Sequence, residues 1–488
     1  MKYSSHSYQW IPLLFSLFFF TFVSATPFIL TKLKGRHYTN RGISSKSLPD
    51  DFKTFKYSQT LDHFNYKPES YQKFQQRFVI NQKYWDGADG TTSAPIFALL
   101  GHEDSLDASI GLLTDQAIKF KALLVYIEHR YYGESIPFGS AEKAFKDATT
   151  LGYLNSAQAL ADYAEILIHV KEEFEAQKSP IIVIGLSYGG MLASWFRLKY
   201  PHIAVGALAS SAPILFFEDI TPQNAFALVV SNDFKGVSEN CYDTIKRSWS
   251  IIDEIASAQH GLRLLSTRFK TCKDLKDSSE LKKYLEAIYT IAAQSSRSLV
   301  QKICQIIDQA PTDDSILDKI MAVVVAIAGD APCYVIPPES APDQSDKAWE
   351  WQKCTEIVMP GGRGDETMFQ RAPFNQNDYN SLCMLLFAIR PRTHWITTYY
   401  GGRDIKLTLK RFASNIIFSN GLRDPYSSGG VLEDISETIL AVTAEQGTHC
   451  EDIYPTKNTD PNWLVTMRET EFEIIQKWIT QYYTDLQS

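Results

Sequence analysis

Hydrophobic positions in this chain fall into two textures. Between about residues 55 and 213, short apolar runs alternate with helical stretches. Ile96-Phe97-Ala98-Leu99-Leu100 ends at Gly101, Leu123-Leu124-Val125-Tyr126-Ile127 ends at Glu128, and Ile181-Ile182-Val183-Ile184 ends at Gly185. Residues 110–120 suit a helix. Residues 156–175 predict a longer one, with Ala157, Leu160, Ala164 and Leu167 on one face. Strands that are apolar throughout must be covered on both sides, as in a parallel sheet between helical layers. From about 215 to 405 the period becomes helical, through Ile245, Trp249, Ile252 and Ala256, then Leu281, Leu285 and Ile288. The apolar run Met321 to Ala328 reads as a buried helix. Strand texture returns at 415–419 and 439–442, and a helix carrying Leu464, Phe472, Ile475, Ile479 and Tyr482 closes the chain. The expected fold class is α/β: a mainly parallel sheet in two parts, 51–214 and 406–488, interrupted by a helical insertion over 215–405.

The first 50 residues stand apart. Lys2, the apolar run Ile11 to Val23 and the small residues Val23-Ser24-Ala25 predict a cleaved secretory signal over 1–25. Residues 26–50, with Lys32, Lys34, Arg36, Arg41 and Lys46, read as a basic extension or pro-segment. No membrane attachment is expected once the signal is removed. The 48 basic and 56 acidic side chains give 48 − 56 = −8, which with no basic run argues against a nucleic-acid partner. Seven cysteines lie at 241, 272, 304, 333, 354, 383 and 450, six of them in the insertion. Behind a signal peptide they are disulfide candidates, and the odd count leaves at least one outside intrachain pairs. The setting is the secretory pathway, with the destination extracellular or vacuolar/lysosomal.

The chemistry centres on Gly185-Leu186-Ser187-Tyr188-Gly189-Gly190, a G-x-S-x-G nucleophile elbow between a strand and a helix from Met191 to about Tyr200. Such a turn lifts the serine hydroxyl above the C-terminal edge of the sheet and leaves the Tyr188 N–H free for an oxyanion. A serine is a poor nucleophile at neutral pH without a base, and the base needs an acid to orient it. In the chain order serine, acid, histidine, two residues satisfy this. Asp424 follows the strand at 415–419, and His449 follows the strand at 439–442. His102 and His129 precede the serine, and His394 lies in the insertion. The second oxyanion donor is expected at His102 in Gly101-His102-Glu103-Asp104, whose acidic pair could also meet a substrate amine.

Further motifs join these. Tyr131-Tyr132-Gly133-Glu134-Ser135, the elbow, Val358-Met359-Pro360, Trp395-Ile396-Thr397-Thr398, and Ser419-Asn420-Gly421 with Asp424-Pro425 run in order from about Tyr57 to the C-terminus. Together they resemble the family of lysosomal Pro-X carboxypeptidase and dipeptidyl peptidase II, most of all its plant branch. The resemblance implies an α/β-hydrolase fold with a helical cap, no cofactor or metal, and cleavage next to proline near a peptide terminus, with acidic pH preferred. It puts Ser187, Asp424 and His449 on the triad positions and Met191, Met359 and Tyr426 on the proline pocket. It also implies the disulfides Cys241–Cys304, Cys272–Cys333 and Cys354–Cys383, leaving Cys450 free. A further family disulfide has no counterpart, since its positions fall on Gln223 and near Gly361.

The chain departs from the family pattern at the substrate end. Cys450 and Tyr454 stand where Pro-X carboxypeptidases carry a histidine and an arginine, Tyr426 replaces a tryptophan, and Gly101-His102-Glu103-Asp104 replaces Gly-Asn-Glu-Gly. The expected function is a serine exopeptidase of the Pro-X carboxypeptidase kind, acting on peptides with proline near a terminus. The alternatives are a dipeptidyl aminopeptidase using Glu103 or Asp104 on the free amine, an esterase or lipase, and a non-catalytic extracellular binding protein. The sequence leaves a homodimer open.

Overall fold

A computed structural model describes residues 48–88, 93–336 and 343–488. The expected signal peptide and most of the basic extension lie outside the described residues. Eight strands form one sheet: β1 (Phe52–Thr60), β2 (Lys73–Asn81), β3 (Ile96–Leu100), β4 (Leu123–Ile127), β5 (Ile181–Leu186), β6 (Gly206–Ser210), β7 (Ile416–Gly421) and β8 (Ile439–Ala444). Their spatial order is β1-β2-β4-β3-β5-β6-β7-β8. β1 pairs antiparallel with β2, and β2 with β4; every later pairing is parallel.

The wholly apolar β3 and β4 are buried along their full length, as helical layers on both sides of a sheet require. Three strands escaped the sequence reading. β1 and β2 are polar or half-exposed over part of their length, because they form the antiparallel edge. β6 is Gly-Ala-Leu-Ala-Ser, small because its neighbours come close. A Cβ on Gly206 would lie 2.4 Å from the Trp478 ring, and one on Gly190 would lie 2.7 Å from the Ser210 carbonyl oxygen.

Between β6 and β7 the described chain is helical, from Ala225–Val237 through Ile405–Phe412. Its first part has its own core, in which Ile245, Trp249, Ile252, Leu281, Leu285 and Ile288 meet. The later helices Trp395–Tyr400 and Ile405–Phe412 bury Ile396, Tyr400, Ile405 and Leu409 in the core of the sheet instead. The disulfides Cys241–Cys304, Cys272–Cys333 and Cys354–Cys383 are all formed, and Cys450 is buried and free. Where the family's further bridge would sit, the Gly362 N–H donates to the Gln223 carbonyl at 2.7 Å. Among the described residues no helix is long and apolar enough to cross a membrane.

One buried ion pair secures the chain after β4. Arg130 and Asp162 are both fully buried, with Nη2 2.6 Å and Nε 2.7 Å from the two carboxylate oxygens. The remaining guanidinium hydrogens reach the carbonyls of Thr60, Leu61 and Tyr153. Removing one partner leaves an uncompensated buried charge. Asp162→Ala is therefore expected to cost about 3–5 kcal/mol of folding free energy, read from denaturant unfolding. A loss under 1 kcal/mol would contradict this reading of the pair.

Candidate active site

Three strand ends bring the predicted residues to one rim. Ser187 follows β5 with φ 57° and ψ −124°, a conformation that L-residues adopt only where the surroundings enforce it. The enforcing contacts are close. A Cβ on Gly185 would sit 1.9 Å from the Gly189 carbonyl oxygen, and one on Gly189 would sit 3.0 Å from that of Leu100. The Ser187 N–H donates to the Ser210 carbonyl at 2.9 Å, tying the elbow to the end of β6. The elbow helix then runs Tyr188–Lys199.

Asp424 follows β7 and His449 follows β8. His449 Nδ1 lies 2.7 Å from Asp424 Oδ2, with the imidazole 7% and the carboxylate residue 1% exposed. Asp424 Oδ1 accepts from the Tyr426 N–H at 3.0 Å, which fixes the rotation of the carboxylate. Burial disfavours the imidazolium, but the Asp424 carboxylate, with a further contribution from Cys450, outweighs it and holds His449 above the ordinary histidine range. The His449 N–H donates to the Gln294 carbonyl, and the Cys450 N–H to Ser211 Oγ at 2.9 Å. Ser187 and Cys450, the residue after His449, are thus both tied to the end of β6 and the residue that follows it. Among the described residues no hydrogen bond joins Ser187 Oγ to His449 Nε2. The Asp424–His449 contact is formed and the serine link is not.

The other predicted residues divide. The Tyr188 N–H opens the elbow helix. His102 lies over the elbow, its Cβ 3.3 Å from where a Cβ on Gly189 would be. Its ring turns to its own loop, 3.1 Å from Ser109 Oγ and 3.4 Å from Glu103. Tyr426 packs against His449 with ring centroids 5.5 Å apart. After burial, the charges of Glu103 and Asp424 both push the Tyr426 phenol upward. Met359 is partly buried, while Met191 has no exposed surface. His394 is exposed, 3.6 Å from Glu218.

Sequence reasoning missed Phe226 and Gln294, and set His129 aside by its order in the chain. Phe226 meets Tyr426 edge to face at 5.0 Å, and Gln294 holds His449 from the insertion. His129 is buried behind the elbow, with Nδ1 2.7 Å from the Arg130 carbonyl and Nε2 3.2 Å from Tyr188 Oη. Burial pushes it down to about 4, so it is a neutral ring. Phe226 and Gln294 carry no motif, because only the return of the insertion onto the sheet gives them their place.

Comparison with known proteins gives a consistent picture. Residues 59–471 match the family model described as serine carboxypeptidase S28. The chain is 35% identical to the lysosomal Pro-X carboxypeptidase of Homo sapiens over 477 residues, covering 93% of this chain and 94% of that one. It is 31% identical to the prolyl carboxy peptidase like protein 5 of Caenorhabditis elegans, covering 84% of this chain and 87% of that one.

Proposed function

The chain belongs to the serine carboxypeptidase S28 family and is a serine peptidase, and from that premise we propose that it is an exopeptidase cleaving after a proline near a peptide terminus. Ser187 attacks the prolyl carbonyl, and His449 Nε2 takes the hydroxyl proton and returns it to the leaving amine. Asp424 holds the imidazole in the tautomer that accepts at Nε2 and stabilises the imidazolium as it forms. The Tyr188 N–H and the loop at His102 receive the oxyanion. Water then releases the acyl-enzyme by the same proton path. The observation that carries this reading is the 2.7 Å His449–Asp424 contact on the rim that holds the elbow serine.

For the substrate, Tyr426 beside His449 and Phe226 against Tyr426 offer flat apolar surface that suits a pyrrolidine ring, and the family resemblance adds Met359 and Met191 to that pocket. Three disulfides fit an oxidising secretory compartment, and a lysosomal or vacuolar destination follows the relatives' names. Glu103 favours a second reading, because its charge acts on Tyr426 beside the triad histidine, and such a carboxylate could hold a free amine, as a dipeptidyl aminopeptidase needs. The test compares an N-blocked peptide ending in Pro-X with a free-amine X-Pro amide. Cleavage of the blocked peptide, with X released, is expected to have the higher kcat/KM by about tenfold or more, since terminal binding energy is realised at the transition state. Cleavage of the free-amine substrate alone would reverse the assignment.

A further inference from the structure

Behind the elbow lies a buried polar relay that the mechanism leaves unused. The Tyr188 phenol oxygen receives Gln352 Nε2 at 2.8 Å. Gln352 Oε1 accepts from Tyr132 at 2.7 Å, and the second hydrogen of Nε2 reaches Glu356 Oε1 at 3.3 Å. Glu356 also accepts from the Ser156 N–H at 2.7 Å and from Ser156 Oγ at 2.8 Å, and Tyr400 donates to that Oγ at 3.0 Å. Gln352 lies on the helix Gln344–Thr355 and Glu356 directly follows it, so both belong to the insertion. The Cys354–Cys383 disulfide anchors the same turn. The relay runs from the insertion to the residue that opens the elbow helix.

We propose that Gln352 is a positioning residue for the reaction, holding the Tyr188 end of the oxyanion hole from the insertion, and that Glu356 makes this hold dependent on pH. The inference rests on the serine-peptidase mechanism above and deepens it. Donor directions follow from neutral His129. Its Nδ1–H faces the Arg130 carbonyl, so Nε2 accepts from Tyr188, and the Tyr188 oxygen accepts in turn from Gln352. Gln352 therefore supplies the donor for one buried phenol and the acceptor for another. Without it both Tyr188 and Tyr132 lose a buried partner, and leaving buried polar groups unpaired is costly enough to favour their displacement. Moving the Tyr188 ring moves its N–H, and oxyanion donors act only when aimed.

Glu356 is buried, yet a cavity of about 980 Å³ opens onto it. Asp62, Lys67, Glu69, Arg390 and Arg392 line the same cavity. Among the described residues no ion pair reaches Glu356; its neighbours are Ser156, Gln352, Tyr400 and, through Gln352, Tyr188 and Tyr132. Burial raises its carboxyl from 4.5 to about 7, against the opposing bonds from Ser156 and Gln352. Below pH 4.5 the group is neutral folded or unfolded. Between 4.5 and 7 the unfolded chain has lost the proton and the folded chain keeps it, so stability from this group falls as pH rises through that window. Above it the seam between insertion and sheet holds a buried anion that has hydrogen-bond donors but no counter-ion. The hold on Tyr188 is thus tight in acid and loosens above neutrality.

The test uses the intact protein with Gln352→Met and Glu356→Gln. It reads kcat and KM on a Pro-X peptide and the rate of Ser187 labelling by a fluorophosphonate from pH 5 to 8. Gln352→Met should lower kcat and labelling rate together by about tenfold to a hundredfold, as expected for a displaced catalytic group, with KM changed less than about twofold. The ratio of Glu356→Gln to wild-type labelling cancels the His449 titration that both share. It should rise by up to about tenfold between pH 5 and 8, as the wild-type carboxyl ionises. Full labelling of a Gln352→Met protein that melts as wild type does, or a flat Glu356→Gln ratio, would overturn the relay. The ratio decides alone if Gln352→Met does not fold. Wild-type protein that never labels would instead strike the serine mechanism.

Discussion

Ser187→Ala is expected to lower kcat on a Pro-X peptide by about 10⁴- to 10⁶-fold, with KM nearly unchanged. In the proposed mechanism the hydroxyl is the bond-forming atom, and its removal leaves the acyl-enzyme route without a nucleophile. What remains is the modest acceleration from oxyanion donors and substrate placement. The fold should not suffer. The hydroxyl makes no capping bond to its own helix, and the strained turn is imposed by Gly185, Gly189 and Gly190 rather than by the serine. A melting temperature close to wild type with activity gone is the expected pair of results. Activity within tenfold of wild type would remove Ser187 from the mechanism.

Asp424→Asn should cost about 10⁴-fold in kcat, for a reason the local bonds make specific. Asp424 Oδ1 accepts from the Tyr426 N–H while Oδ2 faces His449 Nδ1. In the asparagine variant one position must be an amide nitrogen. The Tyr426 N–H requires the oxygen, so the NH₂ group turns to His449. Nδ1 must then accept, the ring proton moves to Nε2, and the atom that should take the serine proton is already occupied. Losing the carboxylate also removes the largest influence that holds the imidazole above its ordinary range, with Cys450 left in place, so the residual activity should keep its base form to lower pH than wild type. A kcat/KM–pH profile of the variant with an unmoved acid limb and a loss under tenfold would contradict the assigned role of Asp424.

Much of this was legible in the chain. β3, β4 and β5 announce themselves because a strand covered on both faces must be apolar at every position. The elbow is readable because its glycines answer a steric demand: a Cβ on Gly185 would sit less than 2 Å from the Gly189 carbonyl oxygen. Asp424 and His449 were identifiable because each follows a strand in the required order. The illegible parts depend on distant approach. β6 hides behind small residues chosen by Trp478 and the elbow helix. Phe226, Gln294, Gln352 and Glu356 come from an insertion whose helical period says which face is buried but not against what. Glu356 in the sequence is one acidic residue among 56 carboxylates; only its fit against Ser156 makes it unusual.

One measurement tests the claim that Asp424 and His449 make Ser187 reactive: intact-mass and peptide analysis of the folded protein after exposure to a fluorophosphonate. A single adduct on residue 187, absent in Ser187→Ala and strongly slowed in Asp424→Asn, is the predicted result. Folded wild-type protein that takes up no probe, or carries it on another residue while position 187 stays unmodified, would contradict it.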